Sequence, residues 1–262
     1  MTDFVYLYGF VPADAPAPQD LAGVAGSAVT LVATNSVSAA VSYVPAAEYA
    51  PDQVEARLKN LQWVAEQGVA HERVVAWFVD NTQILPAPLF TMYSSTDALR
   101  EATAQRDAEL AKEMQRLRGL REWDLKISFD EQELQEHGAE ISNKLAQLDQ
   151  EIAAAPAGKG YLLQKKRADL LKTEVRQAAH QRAVDVLNSA HPLTADTRTL
   201  PLPRTVETLP VVLHAALLVR IENETRLVQQ LEAEAQTLRA IGMDLNFSGP
   251  WAPYRFMGEH EH

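Results

Sequence analysis

Hydrophobic positions change their spacing several times along this chain, and each change predicts an element. Val5-Tyr6-Leu7-Tyr8-Gly9-Phe10-Val11 is β-branched and aromatic and stops at Pro12, which predicts a strand. Residues 13–19 hold two further prolines and predict a loop. Two β-rich runs, 29–32 and 39–44, flank Thr34-Asn35-Ser36 and read as a hairpin that Pro45 ends. Pro51-Asp52 opens a helix through Leu58, Leu61 and Val64, with Gly68 expected to end it, and a second helix is expected from His71 to Val79. Residues 84–93 are extended, and their prolines place them at a sheet edge or in a loop.

Beyond Ser94 the pattern becomes helical. Ser95 or Thr96 caps a helix carrying Leu99, Arg106, Leu110, Met114 and Leu117, which stops near Gly119. Residues 122–129 alternate with period two, the signature of a half-buried strand. Leu134, Ile141, Leu145, Leu148 and Ile152 then recur at helical steps. After a Pro/Gly break at residues 156–160 come Leu163, Leu170, Leu171, Val175, Ala178 and Val186. Two helices so joined predict an antiparallel coiled-coil hairpin at about 131–189, projecting from its domain.

Residues 191–209 are rich in Pro and Thr and are expected to be a mobile loop. Residues 211–219 are a buried strand or the start of a helix, which a short apolar run does not decide. A helix over 222–241 ends at Gly242. The chain then closes on Leu245 and Phe247, running into Gly249-Pro250-Trp251-Ala252-Pro253-Tyr254, with apolar residues resuming at Phe256 and Met257. Each proline fixes its own φ and extends the residue before it, so this end is stiff and non-helical. It suits an edge strand that closes a core, or burial against a partner. The mixture of strands and helices predicts an α+β fold in two domains, residues 1–93 and 94–262.

Composition narrows the chemistry. A net charge of −11 argues against nucleic acid, whose phosphates need clustered Lys and Arg. Lys165-Lys166-Arg167 reads as the solvated face of a mixed-charge helix. There are no cysteines, hence no disulfides and no thiolate metal sites, which is compatible with a cytoplasmic protein. Met1-Thr2-Asp3-Phe4 lacks a basic n-region, so no signal peptide is expected, and no apolar run approaches the length of a membrane span.

Catalytic motifs fail on inspection. Gly158-Lys159-Gly160 is no phosphate loop, because Ala153 stands where the first glycine belongs and Gly160 where Ser or Thr would hold magnesium. His71-Glu72-Arg73-Val74-Val75 begins like a zinc-protease helix, but Val75 replaces the second histidine. Glu131 and Glu133 lie on a helix surface, and the terminal Glu259-His260-Glu261-His262 reads as a frayed tail. No catalytic residue, cofactor or metal site is expected, and the chain is not read as an enzyme.

Four segments together resemble the gas vesicle protein family of GvpF and GvpL. Tyr6-Leu7-Tyr8-Gly9-Phe10-Val11 is similar to the family's opening strand, and His71-Glu72-Arg73-Val74-Val75 with Ile84-Leu85-Pro86 to a later segment. Glu122-Trp123-Asp124-Leu125-Lys126-Ile127 and residues 160–167 match a strand and a helix start. Residues 215–219 and Gly249-Pro250-Trp251-Ala252-Pro253-Tyr254-Arg255-Phe256 match the ending. Two departures stand out. After Leu85-Pro86 the family has an arginine and then Phe-Gly-Thr, whereas here Ala87-Pro88-Leu89-Phe90-Thr91-Met92 has neither the arginine nor the glycine. Ala252 stands where proline is commoner.

The resemblance implies an N-terminal ferredoxin-like domain and a C-terminal α+β domain bearing the hairpin. It makes Trp123, Gly249, Pro250, Trp251, Pro253 and Tyr254 structural signature positions. It further implies a non-enzymatic accessory role in gas vesicle formation, at the gas vesicle or in the cytoplasm. The partners would be the small hydrophobic shell protein (GvpA type) and other accessory proteins, with no nucleic acid and no membrane. Tyr6, Tyr8, Phe10, Leu89, Phe90 and Tyr93 are the expected partner interface, as aromatics of a charge-poor sheet. The alternative is a soluble scaffold or regulator that keeps the fold without binding the shell protein.

Overall fold

The computed structural model describes residues 3–203 and 209–258, and the terminal Glu259–His262 lies outside them. The chain forms two compact units: residues 1–122 joined by 250–262, and residues 123–249. The sequence pattern predicts a single division at residue 93. The end of the chain instead returns to the first unit.

In the first unit, β1 (Phe4–Pro12), β2 (Thr30–Ala33) and β3 (Val37–Val44) are followed by α1 (Ala46–Tyr49), α2 (Pro51–Arg57) and α3 (Leu61–Asn81). Then come β4 (Leu85–Pro86), β5 (Met92–Tyr93), α4 (Thr96–Ala104) and α5 (Asp107–Arg116). The strand order is β2-β3-β1-β4, with β5 also on β1, and β1 runs antiparallel to β3, β4 and β5. This is the ferredoxin-like strand order, except that a loop with one 3₁₀ turn, Val24–Gly26, replaces the first crossover helix.

β1 reads as an unbroken apolar run because both its faces are buried. Tyr6 and Tyr8 share a core with Val74 and Phe78 of α3, while the alternate residues Val5 and Leu7 are also withdrawn from water, and α5 packs against β1 and β3. The register shifts between Leu7 and Gly9. A side chain at Gly9 would stand 2.4 Å from the Leu85 carbonyl oxygen, so the bulge that re-aims the strand needs glycine.

α3 runs straight through Gly68, where a helix end was expected. Asn60 caps it by accepting from the Trp63 amide, and Gln67, His71, Val74, Val75, Phe78 and Val79 form one buried stripe at helical spacing. Packing of that stripe outweighs the low propensity of one glycine. Nothing lies within 4 Å of where a Cβ at Gly68 would stand. Gly68→Ala is therefore expected to stabilise the protein by about 0.5–1 kcal/mol, read as a higher denaturation midpoint with an unchanged m-value. The single helix expected after Ser95 is two, α4 and α5, broken at residues 105–106.

The second unit contains β6 (Leu120–Phe129), which enters it from the first, α6 (Glu131–Glu136), α7 (Gly138–Ile141), α8 (Asn143–Ala154) and α9 (Ala157–Ala190). β7 (Thr194–Thr199), β8 (Val211–Arg220), α10 (Glu224–Arg239) and β9 (Met243–Trp251) complete it, in the sheet order β7-β8-β6-β9. This unit carries the full βαββαβ sequence with the ferredoxin-like strand order. Trp123, Leu125, Ile127 and Phe129 all enter one core with Leu213, Ala215, Leu217 and Val219, as period-two alternation requires.

The stretch expected to be a mobile loop contains strand β7, paired antiparallel with β8 from Thr194↔Val219 to Thr199↔Ala215. Its polar composition suits an edge strand with no buried residue, in which Ala195, Asp196, Arg198 and Thr199 are exposed. The run 211–219 is strand, and the closing segment is the edge strand β9. α9 divides its work along its length. Val175, Ala179, Ala183, Val186 and Ala190 are buried toward the sheet, while the first half runs beside α8, where Asp149 pairs with Arg167 and Lys144 with Glu174.

Candidate functional site: an apolar groove on the first unit

A groove of about 350 Å³ opens on the first unit, lined by Phe4, Tyr49, Pro51, Val54, Glu55, Leu58, Phe90 and Met92. Glu55 is its one charged residue, and Leu58 at its border is 47% exposed. Three chain segments, at residue 4, at 49–58 and at 90–92, converge here.

Phe90 is the residue that shapes it. Its φ is +64°, the left-handed region, which costs a non-glycine residue about 1–2 kcal/mol. It directly precedes Thr91, the place where the Phe-Gly-Thr pattern has its glycine, and glycine adopts this backbone freely. Two contacts hold Phe90 there. Its ring stacks on Trp63 with centroids 5.2 Å apart and planes 4° from parallel, and its amide donates to the Tyr6 hydroxyl at 3.2 Å. The Arg57 guanidinium lies 5.6 Å from the Trp63 ring centroid.

Behind Phe90 runs a buried chain of hydrogen bonds. Having accepted from Phe90, the Tyr6 hydroxyl gives its only proton to His71 Nδ1 at 2.9 Å. That assigns the remaining imidazole proton to Nε2, which faces the Tyr254 hydroxyl at 3.3 Å. Tyr254 in turn donates to Glu72 Oε1 at 2.7 Å. Burial pushes the Tyr6 and Tyr254 phenols well above their ordinary range, with Glu72 adding to the effect on Tyr254. Burial also lowers His71 to about 4, against a smaller opposing pull from the Ala87 carbonyl, so the imidazole is neutral. Tyr49, on the groove wall, donates to Gln67 Oε1 at 2.7 Å, and burial pushes its phenol up to about 12.

The six expected interface residues divide. Tyr6 and Tyr8 are fully buried and Phe10 is 8% exposed, so none of the three meets a partner in the folded chain. The Tyr8 hydroxyl is engaged inside, donating to Ser42 Oγ and accepting from the Val24 amide. Leu89, Phe90 and Tyr93 are half-buried, and of these Phe90 lines the groove. Val54 and Trp63 carry no signal in the sequence and Leu58 reads there only as a helix position, because a groove built from distant segments leaves no local pattern.

The signature positions have structural work. Trp123 lies in the core of the second unit, and its Nε1 donates to Glu224 at 3.2 Å. Gly249 to Trp251 end β9, with Trp251 39% exposed. Pro253 and Tyr254 belong to the first unit, where Ala252 enters the core and Arg255 pairs with the buried Glu122. Among the described residues no group of three His, Asp or Glu is placed to hold a metal, and no helix is long and apolar enough to cross a membrane.

The gas vesicle synthesis protein GvpL/GvpF family matches residues 4–258. Gas vesicle protein L of Streptomyces sp. (strain CB03234) is 27% identical over 265 residues, covering 97% of this chain and 92% of that protein. Gas vesicle protein L1 of Halobacterium salinarum is 25% identical over 205 residues, 71% of each chain. The crystal structure of GvpF from Anabaena sp. PCC7120 superposes with a TM-score of 0.69 at 19% identity, over 100% of this chain and 98% of that one. GvpF from Microcystis aeruginosa gives 0.67 at 20% identity, over 98% and 100%. At these identities the two structures speak for the fold.

Proposed function

We propose that this chain, which belongs to the gas vesicle synthesis protein GvpL/GvpF family and so has a role in gas vesicle formation, performs that role without catalysis, by binding the small hydrophobic shell protein through the groove of its first unit. One observation carries the reading: a groove whose lining is apolar but for Glu55, bordered by a half-exposed Leu58 and held open at Phe90 against backbone strain. Apolar surface kept in water at such a cost marks a binding site more often than a packing defect. A groove of this size takes a few side chains of an apolar segment, which suits transient holding of a subunit on its way to assembly.

The test is co-expression with the shell protein of the same gas vesicle system, followed by pull-down of the soluble complex. Leu58 is exposed enough for Leu58→Glu to leave the fold intact. That variant is expected to retain the shell protein about tenfold less well, the effect of a charge at the groove's apolar border. Retention equal to that of the unmodified chain would remove the groove from the mechanism. No retention by the unmodified chain would favour the scaffold reading.

A further inference from the structure

The turn between α8 and α9 has a surface that shell binding does not use. It packs over the start of α9 and buries Gly160, with the Ala155 and Ile152 carbonyl oxygens at ordinary contact distance, 3.9 and 4.0 Å, from where a Cβ would stand. The next two residues are turned outward, Tyr161 69% and Leu162 66% exposed. Lys165 and Lys166 lie four residues beyond each of them and so share the same faces of the helix. Both lysines are exposed, neither is in an ion pair among the described residues, and residues 152–168 contain no acid. On a chain of net charge −11 this is a basic, apolar tip.

The complementary surface is on the first unit. The groove is apolar inside, Glu55 lines it, and Asp52 is exposed on the same helix, α2; neither acid is in an ion pair among the described residues. We propose that the hairpin tip of one copy docks into the groove of a second copy, with Tyr161 and Leu162 entering the apolar lining and Lys165 and Lys166 meeting Asp52 and Glu55. Tip and groove are different surfaces, so the contact is heterologous: every open assembly keeps one tip and one groove free at its ends, and copies add head to tail until a ring closes. A contact this small is weak and salt-sensitive. Self-association does not depend on the shell reading. Only its corollary does, that the tip and the shell protein compete for one groove.

Sedimentation equilibrium of the full chain alone tests it. The mass is expected to rise above the monomer with concentration and to fall back at about 0.5 M salt. Leu162→Glu, at an exposed position, is expected to weaken association at least about tenfold. The double variants Lys165→Glu/Lys166→Glu and Asp52→Lys/Glu55→Lys should each be monomeric, and mixing them should restore association, since each then meets an opposite charge. A monomer at every concentration, or association unchanged in these variants, overturns the proposal. Sedimentation of a monomeric chain with anionic vesicles would overturn it too, assigning the tip to lipid. Leu162→Glu retains the shell protein at least as well as the unmodified chain, so loss of self-association and loss of shell binding are told apart.

Discussion

Phe256→Ala is expected to destabilise the first unit by about 4 kcal/mol, the cost of removing a fully buried ring and leaving a cavity. The ring anchors a segment that reaches this unit more than a hundred residues after the rest of it has left the ribosome. Ala252 enters the core, the Arg255 amide and guanidinium both donate to Glu122, at 2.9 and 2.6 Å, and Arg116 donates to the Phe256 carbonyl oxygen. The Gly258 amide donates to Glu113, whose carboxyl is held below its ordinary range by Arg116. Glu122 is 2% exposed, and a carboxylate so buried is stable only because these donors converge on it. Hydrogen exchange read by mass spectrometry should show faster exchange in peptides from β1 and α3, together with a lower urea midpoint. A loss below about 1 kcal/mol would mean that the closing segment rests on the surface. Trp251, the more conspicuous aromatic of the motif, is 39% exposed, and Trp251→Ala should cost less.

The same segment shows where the sequence was legible. Strand β6 and the helices on either side of the 156–160 break announce themselves through spacing, because each buries one face against its own neighbours. The closing edge strand is legible for the same reason. The placement of the residues beyond it is not. That Ala252, Tyr254 and Phe256 belong with residues 1–122 depends on partners such as Glu72, His71 and Glu122, and no local pattern encodes a partner 133 to 183 residues away. Tyr6 and Tyr8 misled in another way. Their phenols suggested a surface, but each hydroxyl is satisfied inside by long-range partners, which makes a buried tyrosine stable. Phe90 carries no signal of its strained backbone except by contrast with a glycine-bearing pattern. Gly68 and the polar strand β7 show the reverse case, in which tertiary packing overrides composition.

His71 supplies the second large effect. Its pKa is lowered to about 4 in the folded chain against an ordinary 6.5, because burial opposes a second proton. The groups around it are Tyr6 and Tyr8 of β1, Glu72 of its own helix, Tyr254 of the closing segment and the Ala87 carbonyl. Protonating Nδ1 would leave the Tyr6 proton without its acceptor, since the Tyr6 oxygen already takes the Phe90 amide. Between pH 6.5 and 4 the unfolded chain therefore binds the proton and the folded chain does not. The stability contributed is present above pH 6.5 and is lost as pH falls toward 4, reaching about 2.5 kcal/mol by pH 4.5. His71→Gln, which cannot titrate, is expected to be less stable than the unmodified chain at pH 7.5 and to lose less on acidification. Urea midpoints for both proteins from pH 7.5 to 4.5 check this, in a window that closes before Glu113 gives up its carboxylate. Parallel pH profiles would refute the neutral imidazole. Converging profiles would tie the acid stability of the first unit to the same hydrogen-bond chain that holds Phe90.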